Sequence, residues 1–213
     1  MANIMVFAAH PDDEIIGVGG TIAKLSKKHD VYVVVFSYGS GEKGRIWSWP
    51  PTIEREKLKE ARIKESKRAA KIVGAKNVFF LGIEEDIHKH FNEFHREALK
   101  RLIAKYKPIA VFYHSKFDGH KEHRFVHKVV SEILDEMGYK GKRYTYEINT
   151  FSLFAGRKYV VDISKFFAKK MKALKEFKTQ LPSIVGLKPV ILMRTSILGK
   201  VFGKKYVEVF NIE

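Results

Sequence analysis

The chain contains no cysteine. That absence excludes disulfide bridges, thiolate metal centres and cysteine nucleophiles, and leaves His, Asp and Glu to hold any metal. No uninterrupted run approaches the roughly 18 apolar residues that cross a bilayer. The start, Met1-Ala2-Asn3-Ile4, lacks the basic segment and cleavage site of a secretory leader. A soluble cytoplasmic protein without a membrane partner is expected. Acidic residues are few beside basic ones, 24 Asp and Glu against 40 Lys and Arg, for a formal net charge of +16. Clustered Lys and Arg of this kind can neutralise phosphates, so a nucleic-acid-binding module without catalysis is one reading. The basic residues are instead spread along helical stretches such as 54–71, where Glu56, Glu60 and Glu65 interleave with them. A solvated surface laced with charge pairs is the reading we prefer.

Hydrophobic residues make up 45% of the 213, enough for a substantial core, and the length suits one domain spanning 1–213. Ile4 to Ala9 is a short apolar run, a buried first strand that ends at His10-Pro11 because proline keeps the preceding residue out of helical geometry. Val18, Ile22 and Leu25 follow at helical spacing, and Val31 to Phe36 reads as a second buried strand. Strand, helix and strand with short joins imply a right-handed βαβ unit in a parallel sheet. Residues 37–52 have neither period; with Trp47 and Trp49 they form a long loop that either flaps over a ligand or packs on the body. Further helices are expected over 54–73, capped by Gly74, over 94–106, around Val126 to Leu134 and over 166–177. Further strands are expected over 78–81, 109–113, 144–154, 159–163 and 206–210. The alternation predicts an α/β fold, a three-layer α/β/α sandwich with a mostly parallel, Rossmann-like sheet.

The first strand runs into His10-Pro11-Asp12-Asp13-Glu14. Sites in open α/β sheets form at the carboxyl ends of strands. An imidazole and three carboxylates crowded there repel one another unless a cation sits among them, and His10 and Asp13 are spaced to reach one ion across the turn. A helix cap would account for one acidic residue but not for all of them. The second cluster, Asp118-Gly119-His120-Lys121-Glu122-His123, follows the fourth strand at the same sheet edge. One histidine from it completes three protein ligands and leaves a position for water, the pattern of a catalytic zinc. His120, His123 and His127 at helical spacings are an alternative set, with His127 more simply structural. Gly17-Val18-Gly19-Gly20 is a weak dinucleotide signal, because the loop's carboxylates would repel a pyrophosphate. The glycines more simply let a helix approach the sheet.

These motifs resemble the LmbE/PIG-L family of zinc-dependent N-acetylglucosaminyl deacetylases. Ala9-His10-Pro11-Asp12-Asp13-Glu14 is similar to its signature. Arg62-Ile63-Lys64-Glu65 resembles its R-x-x-E helix, Phe80-Leu81-Gly82 leading to Asp86 its next strand, and His120-Lys121-Glu122-His123 its H-x-D-H element. Lys172-Ala173-Leu174 with Gln180 resembles its late helix, so the likeness covers roughly residues 3 to 180. The resemblance implies one zinc ion per chain held by His10, Asp13 and His123, with Asp12 as general base and His120 stabilising the oxyanion. It further implies that Arg62 contacts the substrate and that Asp86 orients a site histidine, His120 first. The implied substrate is a small N-acetylated sugar; a homo-oligomer is compatible. Two positions depart from the pattern. Glu122 replaces the usual Asp, and Asp118 stands where some members carry a catalytic Tyr, for which Tyr38 or Tyr113 would have to substitute.

Overall fold

The computed structural model describes residues 1–150 and 156–213. The expected βαβ unit is present as β1 (Asn3–Ala8), α1 (Asp13–Leu25) and β2 (Asp30–Ser37). There follow α2 (Glu42–Ile46), α3 (Arg55–Val73), β3 (Asn77–Ile83), α4 (Ile87–His90), α5 (Glu93–Tyr106), β4 (Ala110–His114) and α6 (Lys121–Glu136). The chain continues with β5 (Lys142–Tyr146), β6 (Lys158–Asp162), α7 (Phe167–Leu174), α8 (Leu181–Val201) and β7 (Val207–Ile212). The seven strands lie in the order β3-β2-β1-β4-β5-β7-β6. The first five are parallel, and β7 runs antiparallel to both β5 and β6.

Strand periodicity sets the layers. Ile4, Val6 and Ala8 of β1 enter one core with Ile15, Val18 and Ile22 of α1 and with α3 and α7. Met5, Phe7 and Ala9 enter the other, with Leu99 and Ile103 of α5 and with Val126 and Ile133 of α6. Burial on both faces is why the strand reads as a continuous apolar run. The order reverses at β1, which has β2 on one side and β4 on the other. Such a switch point opens a crevice beyond the carboxyl ends of the two strands. Residues following β1 and residues following β4 therefore meet there.

The glycines of α1 do serve close approach. A Cβ on Gly17 would lie 2.3 Å from the Tyr146 ring, and one on Gly20 would lie 2.7 Å from Ile163. Buried Lys170 Nζ donates to the Ile16 carbonyl (2.6 Å) and meets Glu208 Oε1 at 2.7 Å, while Glu208 accepts the N–H groups of Gly20 and Thr21. On the surface, α3 carries Lys57–Glu54, Lys59–Glu56 and Lys64–Glu60 pairs, as a solvated charge network requires.

The structure departs from the sequence expectations in three places. The 37–52 loop contains the short helix α2. Of the extended stretch expected over 144–154, β5 ends at Tyr146, and residues 151–154 lie outside the described residues. Residues 181–201, for which no element was expected, form α8. With the preceding turn, Lys178–Val201 is long and apolar enough to cross a membrane by length and composition, 24 residues with hydropathy 1.4. Pro182, Gly186, Lys188, Pro189 and Arg194 interrupt it, so no unbroken apolar run marks it in the sequence.

Gly17→Ala tests the close approach. The Tyr146 ring is fully buried and its hydroxyl donates to the Phe7 carbonyl at 2.8 Å, so it cannot swing aside. Overpacking is expected to cost about 1–3 kcal/mol, lowering Tm by several degrees in a chain of this length. A thermal melt indistinguishable from the parent would show that α1 withdraws freely.

Candidate active site and metal centre

The turn after β1 is held by its own carboxylates. Asp13 Oδ2 accepts the His10 backbone N–H at 2.8 Å, and Glu14 Oε2 accepts that of Asp12 at 3.0 Å. Asp12 has φ 112°, a left-handed conformation rarely adopted by a non-glycine residue and common at functional sites. It stands at the N-cap of α1, but its side chain caps nothing.

Around Asp13 Oδ2 gather three imidazoles: His123 Nε2 at 3.3 Å, His114 Nε2 at 3.4 Å and His10 Nδ1 at 3.5 Å. Ligand atoms of His10, Asp13 and His123 all lie within 4.8 Å of one another. Each of the two outer imidazoles has its far nitrogen fixed by a carboxylate. His10 Nε2 meets Glu122 Oε2 at 2.6 Å, and His123 Nδ1 meets Asp118 Oδ1 at 3.0 Å. Those carboxylates are anchored in turn, Glu122 by the Ile87 N–H and Asp118 by the N–H groups of His120 and Ile148. Carboxylates that hold the remote nitrogen and leave the near one free are the usual outer support of metal-binding histidines.

The charges fit a cation. Burial alone would lower the pKa of His10, but Asp13 and Glu122 outweigh it and raise it to about 10. Burial is likewise outweighed at His123 by Asp13 and Asp118, which lift it to about 9. Without a metal, protonated imidazoles supply the positive charge that the carboxylates demand. His114 is the reverse: burial and neighbouring His123 push it down to about 4, leaving a neutral ring stacked on His123 with centroids 3.9 Å apart. Two further groups bring ligand atoms equally close, His114/Asp118/His123 and Asp86/His88/Glu122. In the first, Asp118 already holds backbone N–H groups. In the second, Asp86 is surrounded by Lys43, Lys89 and Lys121.

Asp12 adjoins Asp13 in the turn without belonging to the ligand group. Gln180 Nε2 donates to its Oδ2 at 2.8 Å, and burial, together with Asp13 and Glu14, holds its carboxyl well above the ordinary carboxylate range. His120 is exposed at the rim, its ring 5.6 Å from that of His10 and 4.7 Å from that of His123. Arg62 is buried, and its guanidinium donates to the carbonyls of Tyr38, Gly39 and Gly44 and to the Ser48 hydroxyl. Asp86 does not take the place expected of it. Its oxygens receive Lys43 and Lys89, and the carboxylates facing site imidazoles are Glu122 and Asp118. His127 Nδ1 lies 3.0 Å from the His114 carbonyl, a structural tie that removes it from the ligand set. Tyr113 is engaged with Glu213, and the tyrosine that enters the site is Tyr146, whose hydroxyl is 3.3 Å from His114 Nε2. Sequence reading missed His114 and Tyr146; both end strands at the carboxyl edge, but the expected strands, 109–113 and 144–154, ended at neither.

A cavity of about 380 Å³ opens beside His10, walled by His10, His120, Glu122, Arg62, Trp47 and Ser183 among others. Trp47 and Trp49 are both exposed, which favours the flap over packing on the body. Sheet and site together define an α/β enzyme. Residues 5–134 match the PIG-L family, described as GlcNAc-PI de-N-acetylase, and the chain belongs to that family. It is 26% identical over 222 residues to diacetylchitobiose deacetylase of Thermococcus kodakarensis, covering 97% of this chain and 81% of the relative. Its fold matches that of N,N'-diacetylchitobiose deacetylase from Pyrococcus horikoshii with a TM-score of 0.83 at 22% identity, covering 99% and 83% of the two chains. It also matches GalB, the 4-carboxy-2-hydroxymuconate hydratase of Pseudomonas putida, with a TM-score of 0.81 at 24% identity over 100% and 95%. At these identities the two structural likenesses show the fold alone.

Metal binding should displace protons. Free His10 and His123, with pKa values of about 10 and 9, are charged at pH 7, whereas ligation requires neutral rings. A divalent cation, were it held by both rings, would release about two protons at pH 7, fewer as the pH passes 9 and 10 and the free rings lose theirs. Titration calorimetry in buffers of differing ionisation enthalpy measures the number; none released at pH 7 would contradict the charge assignment.

Proposed function

We propose that this enzyme is a zinc-dependent deacetylase that hydrolyses the N-acetyl amide of an N-acetylglucosamine-containing sugar, with one zinc per chain held by His10, Asp13 and His123. The observation that carries the reading is the meeting of those ligand atoms, within 4.8 Å, beside a buried carboxylate, Asp12, that is not among them. The family's description and the chitobiose deacetylase relative support the N-acetylglucosamine unit. Zinc bound there supplies Lewis acidity, polarising the acetyl carbonyl and acidifying water.

The remaining work belongs to the chain's own side chains. The reaction breaks the amide C–N bond, forms a C–O bond to water and moves a proton from that water to the departing nitrogen. Asp12 takes that proton and returns it to the amine. A carboxyl raised above the ordinary range is, when ionised, a stronger base than a free carboxylate and, once protonated, an acid that can give the proton to the amine. The Gln180 amide fixes which oxygen of Asp12 is free. His120, at the cavity wall beside His10, donates to the oxygen on which negative charge develops. Arg62 acts through the loop it holds, setting the position of Trp47 over the sugar. Acetate and a free amino sugar are the products.

Metal analysis and acetate release over a panel of N-acetyl sugars test the roles. Asp12→Ala is expected to keep its zinc and lose about 10²–10⁴ in kcat. His10→Ala and His123→Ala are expected to lose the metal, and Glu122→Gln to weaken it by about 10–100-fold. A zinc-free Asp12→Ala beside a loaded His123→Ala would reverse the assignment, and no acetate from any N-acetyl sugar would sink the reaction.

A further inference from the structure

α8 is apolar around its circumference but meets the rest of the chain along one side. Ile184, Ile191, Thr195 and Leu198 are buried, whereas Val185, Val190, Met193 and Ile197 are 60%, 43%, 56% and 50% exposed. A solvated helix ordinarily turns charged or polar residues outward; a helix apolar on all sides is one that something covers. Among the described residues nothing covers this face. The stretch from Lys178 to Val207 contains no Asp or Glu, and its charges are Lys178, Lys188, Arg194, Lys200, Lys204 and Lys205.

The apolar surface continues to the mouth of the site. The Trp49 N–H donates to the Thr179 carbonyl at 2.9 Å, tying the tryptophan loop to the start of α8. Trp47 and Trp49 are 69% and 59% exposed, and Trp47 and Ser183 both line the cavity. Indole rings settle at the headgroup level of a bilayer, where an apolar body meets a wet polar edge.

The charge pattern chooses the occupant. A second copy would bring two lysine-bearing, acid-free faces together in a chain that is already +16, and like charges across a contact oppose it. A lipid surface rich in phosphates offers hydrocarbon to the apolar side and anions to the lysines. The packed side of α8, with Ile191 and Leu198 in the protein interior, means that the helix lies on such a surface rather than crossing it. We propose that the outer face of α8 and the adjoining Trp47–Trp49 loop dock this enzyme on an anionic membrane surface, with the cavity mouth at the rim of the contact. The proposal does not rest on the reaction assigned above.

Co-sedimentation of the full chain with mixed phosphatidylglycerol/phosphatidylcholine vesicles, against phosphatidylcholine alone, tests it. Binding to the anionic vesicles is expected to be at least about tenfold tighter at low salt and to weaken as salt rises. The variant Val190→Glu/Met193→Glu/Ile197→Glu should lose about tenfold or more of it, with an unchanged circular dichroism spectrum because the three side chains point outward. Lys188→Gln/Lys200→Gln, which leaves the apolar face intact, should lose about fivefold per lysine. Equal binding to both vesicle types overturns the proposal, as does a triple variant that pellets like the parent. A lipid-free dimer that the triple variant splits to monomers also overturns it and gives the face to a second copy.

Discussion

One carboxylate oxygen, Oδ2 of Asp13, organises the site. A buried carboxylate must find partners or protonate, and this one finds the His10 N–H and three imidazole nitrogens within 3.5 Å. Two of the imidazoles are held from the far side, His10 by Glu122 and His123 by Asp118, whereas His114 accepts the Ala9 N–H on the nitrogen that faces Asp13. Charges thus alternate outward along two lines, from Asp13 through His10 to Glu122 and from Asp13 through His123 to Asp118, with the neutral His114 beside them. The sheet order follows from the same demand. Asp13 opens α1 just beyond β1, and the imidazoles of His114 and His123 belong to β4 and its following helix, so these strands must be neighbours and must end at the same edge.

Adjacent carboxylates are driven apart by the same arrangement. Burial works against the charge of Asp13, yet His123, His10 and His114 hold it well below the ordinary range, while Asp12, with burial and two acidic neighbours, stays well above. Pairs whose surroundings separate them in this way divide into a permanent anion and a proton carrier. The turn makes the division possible. At φ 112° the Asp12 side chain leaves the cap position and swings to Gln180, at a backbone cost of about 1–3 kcal/mol. The hydrogen bonds from Glu14 and Asp13 to the turn's backbone stabilise that conformation.

Much of this was legible in the sequence, and the limits have physical reasons. The parallel core strands, the βαβ start and the Gly74 cap were readable because burial on two faces writes an apolar run and a left-handed cap asks for glycine. The acidic turn was readable because its charges are consecutive. His114 and Tyr146 were not, because a lone polar residue after an apolar run looks like the strand's boundary, and Tyr146 lay inside a stretch expected to stay extended. Asp86 was misread because proximity in the chain says nothing of the lysines that fold around it from α2, α4 and α6. α8 was missed because its two prolines and scattered cations break every run, although the helix tolerates Pro189 inside it.

Residues that looked like separate motifs converge on one short segment. Arg62 and Glu65, three apart and so on one face of α3, reach in different directions: Arg62 to the loop carrying Ser48, and Glu65 to Thr179, which donates through both its N–H (3.0 Å) and its hydroxyl (2.6 Å). Thr179 also accepts the Trp49 N–H, and its neighbour Gln180 holds Asp12. The R-x-x-E pair is therefore a brace. It fixes both ends of the tryptophan loop and, through the 179–180 turn, the proton carrier. Since α8 begins at Leu181, immediately after that turn, the orientation of Asp12 and the lie of the exposed helix share a single anchor.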